Sequence, residues 1–194
     1  MNRWRKILDA VRERCAGHSW PAYAALLAVF AWFSVGPLFD ANAWSPVSWM
    51  TVAIHESGHF VTMFWAPAWL SVAAGSGFQW GAPVLCGWLL WRQGEPFAIP
   101  VALVWLGMSL GMSVAYIADA SAQALPLITV GAYHPDTHDW HFMLGGLGLL
   151  GCEGFISGLC RLASVVSLLA GLAFGVWVIV EMAKAAKAAK ATKP

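Results

Sequence analysis

Charge is almost absent from long stretches of this sequence. Between Ala16 and Trp91 only Asp40 and Glu56 are formally charged, and between Pro96 and Ala118, and again between Leu162 and Val180, nothing is. A spanning helix needs about 20 mainly apolar residues, and these windows supply several. A soluble domain could not cover its surface with 11% charged residues, against roughly 25% in an ordinary soluble chain. The 59% apolar content and 13 Trp exclude a disordered chain. A net charge of +1 provides no field to neutralise phosphates, which excludes a globally basic nucleic-acid binder. The expected fold class is an all-α polytopic membrane protein with membrane lipid around it.

The order of segments follows from the same pattern. Residues 1–19 form a basic lead-in with Trp4, Ile7, Leu8 and Val11 on one helical face and Arg3, Lys6, Arg12 and Arg14 elsewhere. That suits a helix lying in the headgroup layer; the plainer alternative is a charged flank that orients the first span. Spans are expected at about 20–39, 47–68, 96–125 and 155–182, with element ends uncertain by a few residues. A Gly/Pro-interrupted stretch, 74–92, lies among them. A His/Asp-rich loop covers about 126–141 and a short helix about 139–150. Residues 20–182 then make one membrane-embedded domain, and 183–194 a Lys-bearing tail. Ala41-Asn42-Ala43 looks like a cleavage site, but the apolar run before it is longer than that of a signal peptide, so an uncleaved chain is expected. The four cysteines include no CxxC, so neither a zinc knuckle nor a redox pair is indicated.

Lys and Arg gather at both ends, which the positive-inside rule places in the cytoplasm, as for a bacterial inner-membrane protein. That requires an even number of crossings, whereas four to five transmembrane segments are visible. One resolution is that 74–92 enters and returns, its Gly75, Gly77, Gly81, Pro83 and Gly87 suiting non-helical backbone buried among helices. The other is that 74–92 crosses and the short tail is translocated.

The second span contains His55-Glu56-Ser57-Gly58-His59, an HExxH motif. Three ionisable groups in five residues of an apolar helix need a common cause, because each costs roughly 2.5–3.5 kcal/mol near mid-bilayer on insertion scales. Zinc supplies one. His55 and His59, at i and i+4, share a helix face and can ligate a single ion. Glu56 lies about 100° round the helix, where it would miss the ion but reach a water activated by it. Thr51 and Thr62 extend the histidine face, and Gly58 admits a neighbouring backbone. A bland reading, in which these groups make interhelical hydrogen bonds, needs no metal.

Catalytic zinc needs a third protein ligand, and two candidates exist. Asp119 ends a stripe, Gly107-Gly111-Ala115-Asp119, spaced by four, the pattern of a helix packed tightly on another. The second is the loop Tyr133–His141, where His138 could ligate with Asp139 orienting a ligand, and His134 or His141 could gate water or protons. A solvated loop before a helix N-terminus, capped by Asp139 or Thr137, explains the same residues without function.

The HExGH helix resembles that of the site-2-protease family of intramembrane zinc metalloproteases. The resemblance implies Asp119 as third ligand, because that family takes it from an Asp on a later helix. Here Asp119 sits in Tyr116-Ile117-Ala118-Asp119-Ala120, without the family's usual Leu-Asp-Gly or Asn-Pro-Asp-Gly context, and no PDZ domain is seen. The chain also looks like small bacterial membrane proteins that combine HExGH, Tyr-Ile-Ala-Asp-Ala, Leu-Pro-Leu and His-Asp-Trp, here 116–120, 125–127 and 138–140. That likeness implies that Asp119 and His138 belong to one site. The expected function is zinc-dependent hydrolysis of a peptide bond in a membrane-protein or peptide substrate, with zinc on His55, His59 and Asp119 or His138 and Glu56 as the base. The alternatives are a membrane zinc hydrolase of a lipid amide or ester, and a metal-binding membrane protein with no catalysis. Oligomeric state is not legible.

Overall fold

A computed structural model describes residues 3–39, 45–125 and 138–191. Every regular element among them is a helix, in the order α1 (Arg3–Arg14), α2 (Trp20–Phe39), α3 (Pro46–Thr62), α4 (Ala68–Arg92), α5 (Ala98–Ala118), α6 (Asp139–Gly146) and α7 (Glu153–Ala191). The all-α expectation is met. α5, with 21 residues, and α7, with 39, are long and apolar enough to cross a membrane.

α5 and α7 form the central pair, and small residues let them touch. A Cβ on Gly107 would lie 2.9 Å from the Ser164 carbonyl oxygen, and one on Gly171 would lie 2.8 Å from the Val104 nitrogen. Hydroxyls on α7 then bond to the α5 backbone: Ser164 Oγ donates to the Gly107 carbonyl (2.6 Å) and Ser167 Oγ to that of Leu103 (2.8 Å). These carbonyls already belong to the helix ladder and accept a second bond, which holds two apolar helices together without exposing any polar group.

α4 corrects the expectation of a broken, re-entrant backbone. It is one continuous helix of 25 residues with Pro83 inside it. Two of its glycines serve close approach rather than chain reversal. Gly87 sits against Ala102 of α5, and Gly75 against α3. The segment 183–191, expected as a separate tail, continues α7.

α1 is amphipathic, as expected, but its apolar face packs on protein. Val11 and Cys15 are fully buried with Leu27, Phe97, Val178 and Met182. Arg14 donates to the Trp91 carbonyl (2.8 Å) with its guanidinium 3.9 Å from the Trp91 ring centre. Arg12 approaches Glu181 at 3.5 Å. One end of the bundle therefore gathers α1, the last turns of α4 and the C-terminal part of α7. The other end holds the last turn of α5, the first turn of α4, α6 and the start of α7, where Ser121 hydrogen-bonds Glu153.

Candidate metal centre

α3 begins where the sequence says a helix should. Ser45 accepts from the Ser48 N–H (3.1 Å), and Pro46 opens the first turn. The helix then lies directly on α4, because neither has a side chain at the crossing. A Cβ on Gly58 would collide with the Ala74 carbonyl, and a Cβ on Gly75 would run into Nε2 of His59 and lie 2.7 Å from Nε2 of His55. Gly75 is thus the floor under both imidazoles. We expect Gly75→Ala to abolish stoichiometric zinc binding, measured by metal analysis. Alanine is the better helix former, so the helical circular dichroism should persist.

The two rings are held from behind. His55 Nδ1 donates to Gln79 Oε1 (2.9 Å), and Gln79 Nε2 donates onward to the Ser109 carbonyl (2.8 Å) and Ser113 Oγ (3.2 Å). That onward pair fixes which end of the amide faces His55, so His55 Nδ1 carries the proton. His59 Nδ1 donates to the Ser71 carbonyl (2.9 Å). With both Nδ1 atoms protonated, both Nε2 atoms present lone pairs forward. Ser71, Gly75 and Gln79 recur every four residues on one face of α4, a period visible in the sequence that places all three against α3. Replacing Gln79 with Leu should lower zinc affinity by roughly 10–100-fold, the usual cost of losing a group that orients a ligand; competition with a chromophoric chelator would measure it.

The two Nε2 atoms face one another at 3.1 Å, and Asp139 Oδ2 lies 3.0 Å from His55 and 3.2 Å from His59. Three acceptor atoms converge here. They repel unless a cation sits among them. Donors around a tetrahedral zinc at about 2.0–2.1 Å stand about 3.3–3.4 Å apart, close to this triangle, so the donor set fits zinc in both chemistry and spacing.

Asp139 thus occupies the place expected for Asp119 or His138. The cause is how α6 starts. His138 is its N-cap, with Nδ1 accepting the His141 N–H (3.2 Å). Its buried ring stacks on Tyr116 at 4.0 Å, and Nε2 points toward Asp119 Oδ2 at 3.6 Å with no hydrogen-bond partner among the described residues. Asp119 follows the end of α5, and its carboxylate accepts from Ala124 N–H (3.0 Å) and Leu125 N–H (2.9 Å), closing the turn there. Consecutive residues at a helix start diverge by about 100°, so His138 turns to α5 and Asp139 to α3. The Asp139 N–H meets Tyr116 Oη at 3.4 Å. Asp119 and His138 face each other at 3.6 Å, and neither belongs to the His55–His59–Asp139 group.

Glu56 is half-buried and directly follows His55 on α3. His141 Nδ1 lies 2.8 Å from the Ala120 carbonyl and 2.9 Å from Gln123 Nε2, bracing α6 on the end of α5. His134, Thr137 and the 41–43 cleavage-like site lie outside the described residues. Thr51 accepts from Trp105 Nε1 (3.1 Å) and Thr62 donates to the Gly58 carbonyl (2.7 Å), so both have structural partners. No protein-family model, curated protein or solved structure matches the chain.

Proposed function

We propose that this is a polytopic membrane zinc metalloprotease that hydrolyses a peptide bond in a membrane-associated substrate. One observation carries the reading: two imidazole nitrogens of α3 and a carboxylate oxygen of α6 converge within 3.2 Å of one another, and Glu56, next to His55, is the one formally charged residue of α3. In this reading α2, α4, α5 and α7 cross the membrane, and the 17-residue α3 is embedded between them. The large apolar side chains turned outward support it: Trp32 on α2 is 80% exposed and Leu162 on α7 is 61% exposed, and many others like them leave the bundle a surface that water does not favour.

His55, His59 and Asp139 would hold the zinc. When bound, it would lower the pKa of a water toward about 7 and polarise the scissile carbonyl. The Glu56 carboxylate takes the proton from the attacking water and returns it to the leaving amine. Gln79 and the Ser71 carbonyl keep both Nδ1 protons in place, so His55 and His59 remain lone-pair donors throughout. The substrate must present an unwound carbonyl, because a helical one is already hydrogen-bonded. The test is purified protein in proteoliposomes with single-span peptides, followed by mass spectrometry. Peptide cleavage that stops on chelation and returns with zinc is expected. Release of fatty acid from lipid with peptides left intact selects lipid hydrolysis instead, and wild-type protein without zinc overturns both.

A further inference from the structure

The sidedness of the bundle says from which face the metal centre is served. Every Lys and Arg except Arg161 lies in residues 3–14, at Arg92, or beyond Glu181. The structure gathers those segments at one end, through Arg14 on Trp91 and Arg12 on Glu181. The positive-inside rule makes that end cytoplasmic. The opposite end carries Asp119, Asp139 and Glu153.

The centre lies toward that acidic end. Along α4, Gln79 stands 13 residues before Arg92 and Ser71 stands 21 before it. At 1.5 Å per residue those positions are about 20 and 31 Å from the basic end. The two residues hold His55 and His59 respectively. α5 agrees independently, since Tyr116, against which Asp139 and His138 rest, is 18 residues beyond Ala98, or about 27 Å. The hydrocarbon core is about 30 Å thick. A centre about 25 Å from the cytoplasmic edge is in the far leaflet. Its third donor, Asp139, comes from α6, beyond the end of α5.

We infer that the metal centre opens to the face of the membrane away from the cytoplasm, and that zinc, water and substrate reach it from there. This rests on the membrane reading above and sharpens the substrate class: the extracytoplasmic end of a membrane-anchoring helix. Either end of a helix leaves four backbone groups without partners within the helix, so unwinding an end turn costs fewer hydrogen bonds than unwinding mid-span.

Native cysteines provide the probe. Cys152, just before α7, and Cys86, on α4, are exposed, whereas Cys15 and Cys160 are buried. In Cys86→Ser protein, a membrane-impermeant maleimide should label Cys152 in sealed right-side-out vesicles and not in inside-out ones. A Lys190→Cys variant that also carries Cys86→Ser and Cys152→Ser should show the reverse. In parallel, impermeant EDTA should strip most of the zinc from right-side-out vesicles and little from inside-out ones, by metal analysis. Labelling of Cys152, or zinc loss, confined to inside-out vesicles overturns the inference while leaving a membrane metalloprotein. Recovery of the chain in the soluble fraction overturns the membrane reading and the inference with it.

Discussion

Glu56→Gln should retain zinc at the wild-type level and lose peptide hydrolysis by about 10²–10⁴-fold, the usual contribution of general acid–base catalysis. The substitution keeps size and removes only the ability to hold the transferred proton. It leaves the described contacts of His55, His59 and Asp139 unchanged, because Glu56 bonds to none of them. It also replaces a charge with an amide in an apolar setting, which insertion energetics favour, so loss of activity cannot be traced to loss of fold. The fall should appear in kcat with KM nearly unchanged, since no substrate-binding contact is removed. A purified variant that cleaves at the wild-type rate would exclude Glu56 as the proton carrier.

The helical class and the two histidines were legible because both rest on period and polarity. Uncharged windows announce apolar helices whatever their partners, and i,i+4 spacing places His55 and His59 together on any helix. The 74–92 segment shows where this stops. Glycine is compatible both with irregular backbone and with a helix that touches its neighbour, and the sequence of one segment does not contain its neighbour. Gly75 is required by the imidazoles on α3, and Gly87 by Ala102 on α5. The lead-in shows the same limit from the other side. An amphipathic face with Val11 on it suits a lipid surface and a protein surface equally well, and only α7 supplies the answer.

The third member of the His55–His59–Asp139 group was hidden by one residue of register. The sequence marks His138-Asp139 as a candidate pair, one residue to ligate and its neighbour to orient, beside the plainer reading of a capped helix start. Which is which depends on where α6 begins, and helix ends are what a sequence defines least well. Once His138 is the N-cap, its ring is committed to Tyr116 and Asp119, and Asp139 is the first residue of α6 free to face α3. The role of Gln79 is illegible in the sequence for a related reason. A lone amide in an apolar helix gains meaning only when the group it bonds, 24 residues earlier, is known.

That register makes a decisive experiment of the two aspartates. Asp139→Ala should lower zinc affinity by more than the roughly 10–100-fold typical of losing a supporting group, because it removes a donor atom and leaves two neutral imidazoles, too few for a stable zinc site. Asp119→Ala should keep zinc near stoichiometric and act on stability instead. It removes the acceptor for two backbone N–H groups, at Ala124 and Leu125, and the carboxylate facing buried His138; each group left unsatisfied costs about 1–3 kcal/mol, read as a lower melting temperature. His138→Ala should fall between them, because it takes away the cap that aims Asp139 without touching a donor atom. Metal analysis and thermal melts on the three proteins separate these roles, since a ligand and a brace move different readouts. Zinc lost from Asp119→Ala but kept by Asp139→Ala would return the third position to Asp119, the assignment that the site-2-protease resemblance implies. It would require α5 and α6 to shift until Asp119, now turned to Ala124, Leu125 and His138, faced His55 and His59.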